Sequence, residues 1–189
     1  MKTRILLTAL VVFAGINVSA QSHKANVEKS TVKWTGTKVV GSSHDGFIKL
    51  SEGELEVKDD KIASGQFVID MNSITNTDLD NKDYNQKLVG HLKSDDFFGV
   101  ATYPTAKLEI RKASAFNNNK ASVKADLTIK GQTKPIAFEV EKKDNAYVAS
   151  IVVDRTLYGI RYGSGSFFDN LGDKAISNDF TLDVQLVLE

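Results

Sequence analysis

Apolar and polar residues alternate one by one along several segments, a period that is typical of strands with one buried face. The clearest alternation covers residues 106–111, 123–130, 136–141 and 180–189. Weaker alternation is present at Val32 and Trp34, at Leu55 and Val57, and over residues 67–71 and 147–153. About eight strands of this kind, each with one wet and one dry face, must close on themselves or stack as a sandwich. The pattern therefore predicts a single all-β domain.

Short polar turn sequences separate the predicted strands. They are Lys58–Lys61, Asn117–Asn119, Lys130–Thr133 and Lys143–Asn145. Connections as short as these join antiparallel neighbours. Pro104 and Pro135 are expected at strand starts, where the missing N–H donor is tolerated.

One stretch, residues 78–98, breaks the strand pattern and predicts a helix. Tyr84, Leu88, His91 and Leu92 recur at spacings of three and four residues, as on one helix face. Asp80 or Asn81 is a natural N-cap, and Asp83 in the first turn suits the helix dipole. We expect this short helix to lie across or near an opening of the β-structure, followed at once by Phe97 and Phe98 as a cover or core anchor.

The first 20 residues have the pattern of a cleaved secretory signal. Lys2 and Arg4 precede an apolar run, Ile5–Val18, and Val18-Ser19-Ala20 suits the cleavage site. The alternative, a membrane anchor, is disfavoured because the apolar run is shorter than the roughly 20 residues that span a bilayer. The chain has no cysteine to carry a lipid at the new N-terminus. We therefore expect residues 1–20 to be a signal peptide, residues 21–189 to be the exported domain, and no stable membrane insertion.

Charge and cysteine content narrow the classes of function. The chain carries 24 Lys and Arg against 24 Asp and Glu, and loss of Lys2 and Arg4 with the signal leaves a net charge of −2. A chain of this charge without a basic block gives no case for nucleic-acid binding. Because there are no cysteines, the stability of the exported domain is expected to come from packing alone.

Five sequence blocks, taken in order, resemble the YceI-like family. They are Val32–Gly36 with His44–Phe47, Ile69–Ile74, His91–Phe98 with Tyr103-Pro104, Leu127–Pro135 and Asp154–Ile160. The resemblance runs from about Val27 to the end of the chain. It implies a lipocalin-like, eight-stranded antiparallel β-barrel in the periplasm whose lumen binds a polyisoprenoid or a similar amphiphilic lipid. The sequence departs from the family at Asn26–Ser30 and in the long segment 162–173, which could reshape one barrel mouth.

The resemblance and the alternation together indicate where a ligand would lie. A barrel of about eight strands has an interior that is either filled by side chains or able to hold one small ligand. We expect a carrier for a polyisoprenoid, an isoprenoid quinone or a fatty chain, with no catalytic residue, cofactor or metal; a homodimer is one assembly that the sequence allows. The expected ligand-binding residues are Trp34, Phe47, Phe67, Ile69, Met71, Leu88, Leu92, Phe97, Phe98, Leu127, Ile129 and Phe138.

Two other functions stay open from the sequence. One is a barrel-fold enzyme that acts on a lipid, with His44 or His91 as general acid–base at the barrel mouth. It predicts polar groups that converge in the cavity and a histidine held by a carboxylate. The other is a packed barrel that acts through its surface as a stress-related, partner-binding protein, which predicts no cavity large enough for a chain.

Overall fold

The computed structural model describes residues 21–189, so the predicted signal segment, residues 1–20, lies outside the described residues. The strands are β1 Gln21–Lys24, β2 Thr31–Lys38, β3 Ser43–Lys58, β4 Lys61–Asp70, β5 Thr105–Ala113, β6 Lys120–Ile129, β7 Gln132–Lys143, β8 Ala146–Asp154 and β9 Ile176–Val187. Helix α1 spans Lys82–Lys93, and short 3-10 helices lie at Met71–Ser73, Arg155–Tyr158 and Gly172–Lys174.

Strands β2 to β9 form a closed antiparallel ring, with β2 pairing to β9 to complete it. The short strand β1 pairs with the second half of β3, with Gln21 opposite Val57, while β2 pairs with the first half, with Val32 opposite Ile48. Strands β1 and β2 therefore share one position in the wall, separated by a bend. The predicted eight-stranded barrel with one short helix is confirmed.

The hairpin turns adopt the left-handed backbone that their sequences favour. Positive φ angles occur at Asp59 and Asp60, at Asn118 and Asn119, at Lys130 and Gly131, and at Asp144. Two-residue turns with positive φ match the right-handed twist of the flanking strands. The four turns thus join β3 to β4, β5 to β6, β6 to β7 and β7 to β8 as antiparallel neighbours, whereas β4 and β5 are joined by the long segment that contains α1.

A seam separates most of β7 from β8. The two strands pair only next to their turn, where Glu141 lies opposite Val148 and Lys143 opposite Ala146. The expectation that Pro135 begins a strand is wrong, since it is the fourth residue of β7 and lies opposite Asp126 of β6. Because proline cannot donate a backbone hydrogen bond, it is tolerated within β7 where one edge of the strand has no partner.

Two clusters of buried side chains lie toward the two ends of the barrel. The helix-end cluster contains Val32, Ile48, Met71, Ile74, Leu92, Phe97, Val100, Ala106, Leu127, Ile129, Ile151, Val153, Tyr158 and Ile160. The far-end cluster contains Ala25, Leu50, Leu55, Ile62, Phe67, Ile110, Ala113, Val123, Ala125, Val140 and Leu186. Inward residues halfway along the walls, such as Leu108 and Ala149, contact both clusters without being buried.

Helix α1 covers one end of the barrel. The Asn81 side chain accepts hydrogen bonds from the N–H groups of Asp83 and Tyr84, at 3.0 and 3.1 Å. The buried Leu92 belongs to the helix-end cluster, and the partly buried Leu88 packs against that cluster. The predicted helix is confirmed, with Asn81 rather than Asp80 as its cap. Within residues 21–189, no helix combines the length and the apolar character that crossing a bilayer requires.

Candidate functional site

The interior of the barrel contains a cavity of about 200 Å³, which we call the lumen. Its walls come from all strands of the ring and from α1, and they are almost entirely apolar. The lining residues include Val32, Trp34, Ile48, Leu50, Leu55, Ile62, Phe67, Ile69, Met71, Ile74, Leu92, Phe97, Phe98, Ala106, Leu108, Ile110, Leu127, Ile129, Ile136, Phe138, Val140, Tyr147, Ala149, Ile151, Arg155, Ile176, Phe180, Leu182, Val184 and Leu186.

Inward side chains that are only partly buried distinguish this lumen from a packed core. Leu108, Ile136, Phe138 and Ala149 point inward and line the lumen, yet they are only partly buried. An inward side chain can keep accessible surface only where a void lies beside it. Residues of the helix-end and far-end clusters, such as Leu127 and Leu186, line the same void, so the lumen runs from one cluster to the other.

The lumen is long relative to its volume. Along β9 its lining runs from Ile176 to Leu186. Ten residue steps cover about 33 Å of strand. With the strand tilt of a barrel, this corresponds to about 25 Å along the barrel axis. A space of this shape suits an extended apolar chain better than a compact ring system.

Aromatic side chains close the helix end of the lumen. The ring of Tyr162 lies 4.4 Å from that of His91 and 5.8 Å from that of Phe97, and the ring of Phe98 lies 6.3 Å from that of Phe180. We call these five residues the aromatic cover. Phe97 and Phe98 therefore act as both core anchor and cover, the two roles that the sequence leaves open. The far end is closed by aliphatic side chains of the far-end cluster, with Tyr147 and Leu188 packed against it.

Arg155 is a buried cation in the lining of the lumen. Only 3% of the residue is exposed. Its Nε donates to the carbonyl of Ser177 at 2.9 Å, Nη1 to that of Ile160 at 2.9 Å, and Nη2 to that of Ile176 at 3.2 Å. Its guanidinium carbon lies 5.6 Å from the centre of the Phe97 ring. Burial lowers the pKa of Arg155 while the negative charge of Asp154 opposes the shift, and a guanidinium stays charged in a protein.

Tyr158 lies in the same 3-10 helix as Arg155 and is 1% exposed. Its hydroxyl has no hydrogen-bond partner in the part of the chain that the structure describes. Burial, together with the charge of Asp154, raises the pKa of Tyr158 to about 12. The phenol is therefore uncharged at neutral pH.

Most of the residues that the sequence proposes for ligand binding line the lumen. Those that do so are Trp34, Phe67, Ile69, Met71, Leu92, Phe97, Phe98, Leu127, Ile129 and Phe138. Leu88 lies behind the lining, packed against the helix-end cluster. The expectation that Phe47 faces inward is wrong. In β3 the inward positions are Gly46, Ile48 and Leu50, so Phe47 points outward and is 43% exposed.

Other lining residues are absent from the sequence-based site. Leu108, Ile110, Ile136, Leu182 and Val184 all belong to alternating segments, so their inward direction follows from the same period-two pattern. Arg155 carries no such signal. Its carbonyl partners at Ser177 and Ile176 lie about 20 residues later in the chain and come together only in the fold.

Neither histidine of the enzyme alternative lies in the lumen lining. His44 Nδ1 lies 2.8 Å from Asp78 Oδ2, and the other carboxylate oxygen of Asp78 accepts from the N–H of Asp45 at 2.9 Å. Partial burial raises the pKa of Asp78, but hydrogen bonds from Asp45, His44 and Asn76 outweigh it, so this pKa lies below the usual 3.8. The pair thus ties the start of β3 to the segment before α1. Across residues 21–189, no three His, Cys, Asp or Glu side chains are grouped so that they could hold a metal ion.

Comparison with known proteins adds to this geometry. The family model of the YceI-like domain matches residues 23–188. A UPF0312 protein of Vibrio cholerae is 39% identical over 51 residues, which is 27% of this chain and 27% of the length of that relative.

Solved structures share the fold at low sequence identity. BcnA of Burkholderia cenocepacia is 22% identical and has a TM-score of 0.65, over 86% of this chain and 98% of BcnA. A polyisoprenoid binding domain from Saccharophagus degradans, implicated in plant cell wall breakdown, is 16% identical, with a TM-score of 0.58 over 88% and 97% of the two chains. The Campylobacter jejuni YCEI protein is 17% identical, with a TM-score of 0.52 over 100% of this chain and 93% of its own.

Proposed function

This chain belongs to the YceI-like family, and from that premise we propose that it binds an amphiphilic lipid by enclosing the apolar chain in its lumen. The observation that carries the proposal is the lumen that runs from the helix-end cluster to the far-end cluster, lined by buried and partly exposed aliphatic and aromatic side chains. The likeness in fold to a polyisoprenoid binding domain supports a prenyl chain as one class of ligand. An isoprenoid quinone and a fatty chain fit the same lining.

Apolar contact supplies the affinity in such a site. Each buried CH₂ group contributes about 0.8 kcal/mol, and a preformed lumen adds little ordering cost for the protein. A narrow lumen of about 200 Å³ whose lining is almost entirely apolar favours binding over chemistry. The same void disfavours the packed-barrel alternative, which requires a filled interior.

The proposed setting is the periplasm, where the protein would act as a diffusing carrier or a sequestering protein. The charged and apolar pattern of residues 1–20 supports export. A carrier of this kind shields the apolar chain of its ligand from water during transfer between membranes.

The experiment that tests the proposal is extraction of the protein purified from its native compartment. Organic extraction followed by mass spectrometry should recover a prenyl or fatty lipid in near-stoichiometric amount, and an unrelated exported protein prepared in parallel should yield only traces. The binding function is contradicted if the native protein yields no lipid and also takes up none after incubation with prenyl alcohols, quinones and fatty acids. A chemically altered lipid after incubation would instead favour the enzyme alternative.

A further inference from the structure

Arg155 places one buried positive charge at the helix end of an otherwise apolar lumen. The residue is 3% exposed, and it lies beside Phe97 of the aromatic cover. The only acidic residue that contributes to the lining, Asp179, is exposed. Within residues 21–189, no carboxylate lies within 4.0 Å of the Arg155 guanidinium.

The guanidinium has hydrogen-bonding capacity to spare. It carries five N–H donors in a planar fork, and three of them are directed to the carbonyls of Ser177, Ile160 and Ile176. Two donors, one on each terminal nitrogen, are left for another acceptor. The Oδ1 atom of the neighbouring Asp154 accepts from both the N–H and the hydroxyl of Thr156.

A buried charge interacts strongly with an opposite charge, because little water is present to screen it. A guanidinium fork also matches the geometry of carboxylate and phosphate oxygens. We propose that Arg155 binds an oxyanion head group, a carboxylate or a phosphate, of the lipid whose chain fills the lumen. This inference rests on the proposed function and adds the class of head group and the direction in which the ligand lies.

The rest of the lining fits a ligand whose head group lies at Arg155 and whose chain runs toward the far-end cluster. From Arg155 the lining runs past Phe138 and Ala149 to Val140 and Leu186, which belong to the apolar far-end cluster. The head group therefore lies under the aromatic cover, and the end of the chain lies against the far-end cluster. The carbonyl contacts and Phe97 hold the guanidinium in place, so the ligand does not have to order it.

The direct test compares two ligands with one chain. Binding of geranylgeranyl phosphate and of geranylgeraniol to the wild-type protein is measured by isothermal titration calorimetry, with palmitic acid and its methyl ester as a second pair. The oxyanion of each pair should bind about ten- to a hundredfold more tightly, as expected for charge-assisted hydrogen bonds. Equal affinity within both pairs would overturn the inference and leave the proposed function standing. Failure of all four ligands to bind would count against the proposed function itself.

Competition by inorganic phosphate shows whether Arg155 binds the head group of a lipid or a free anion. At millimolar concentration it should compete only weakly with geranylgeranyl phosphate, since it gains nothing from the apolar lining. Competition at the affinity of the lipid phosphate would contradict a lipid ligand at Arg155.

Two variants separate binding from a structural role. Arg155→Gln should remove the preference for phosphate over alcohol while geranylgeraniol still binds. Arg161→Gln is the matched control, because Arg161 is exposed at the same barrel end and stacks on Phe167 at 4.6 Å, and it should keep the wild-type preference. If Arg155 had only a structural role, Arg155→Gln would lower the affinities for geranylgeranyl phosphate and geranylgeraniol by the same factor. Should this variant fail to fold, the comparison of ligand pairs on the wild-type protein still decides.

Discussion

Gly46 lies where the segment after the Met71–Ser73 helix crosses directly over β3. A Cβ atom at Gly46 would lie 1.9 Å from the carbonyl oxygen of Thr75 and 2.9 Å from Cα of Asn76. The same Thr75 carbonyl accepts a hydrogen bond from Trp34 Nε1 at 2.9 Å, and Trp34 is the cross-strand partner of Gly46. The block around His44 and Gly46 is thus explained by a close backbone contact beside Trp34, which lines the lumen.

Replacing Gly46 by alanine should destabilise the protein because backbone, rather than a mobile side chain, occupies the space of the new methyl group. We expect Gly46→Ala to lower the free energy of unfolding by about 2–3 kcal/mol, measured by equilibrium urea unfolding. The control is Gly36→Ala on the neighbouring strand, where a Cβ would meet no atom within 4 Å. That variant should change stability by less than about 1 kcal/mol. Similar losses in both variants would contradict the close contact at Gly46.

For single residues, the period-two pattern predicts many of the inward side chains. The residues that it misplaces or misses have physical causes. Phe47 and Ile48 are adjacent and both apolar, so alternation alone does not decide which of them faces the lumen. The crossing segment decides it, because only Gly46 fits beneath Thr75, and Ile48 then shares the inward face with Gly46. The surroundings of Arg155 depend on carbonyls of a distant strand, which no local pattern reveals.

The sequence predicts helix α1 but does not predict the seam between β7 and β8. The spacing of Leu88 and Leu92 and the capping residues predict α1 from the sequence, because both signals are local. The seam is different, since the alternation in β7 and β8 is the same whether or not the two strands pair. Pro135 is the only sequence feature that favours an unpaired edge there.

The helix over the lumen should depend on its N-cap. Asn81→Ala removes the acceptor for the N–H groups of Asp83 and Tyr84, and such a loss typically costs about 1 kcal/mol. Hydrogen–deuterium exchange of the α1 amides should then quicken by about fivefold, the factor that corresponds to this energy. Asp80→Ala is the control because Asp80 is exposed and does not cap the helix. Equal protection of α1 in the two variants would show that Asn81 does not hold the helix start.

The whole molecule is a closed barrel with a hollow, apolar interior. The alternation of about eight amphipathic strands with short turns predicts a barrel or a sandwich, and the resemblance to the YceI-like family implies the barrel. The hollow interior does not follow from the sequence, since filled and hollow barrels of this size share one alternation pattern. It depends on how far the side chains of residues such as Leu108 and Ala149 reach across the interior, which only the structure shows.

The most direct test of lipid binding in the lumen is to fill the lumen. Ala149 lines it between the two clusters, whereas Ala137 on the outward face of β7 is exposed. Both residues lie in strands, where phenylalanine is well tolerated. Binding of geranylgeraniol is measured by isothermal titration calorimetry for the wild type, Ala149→Phe and Ala137→Phe, after circular dichroism has shown that all three are folded. We predict wild-type affinity for Ala137→Phe and a loss of about tenfold or more for Ala149→Phe, as expected when two or more CH₂ groups are displaced. Unchanged affinity in Ala149→Phe would contradict a ligand held in the lumen.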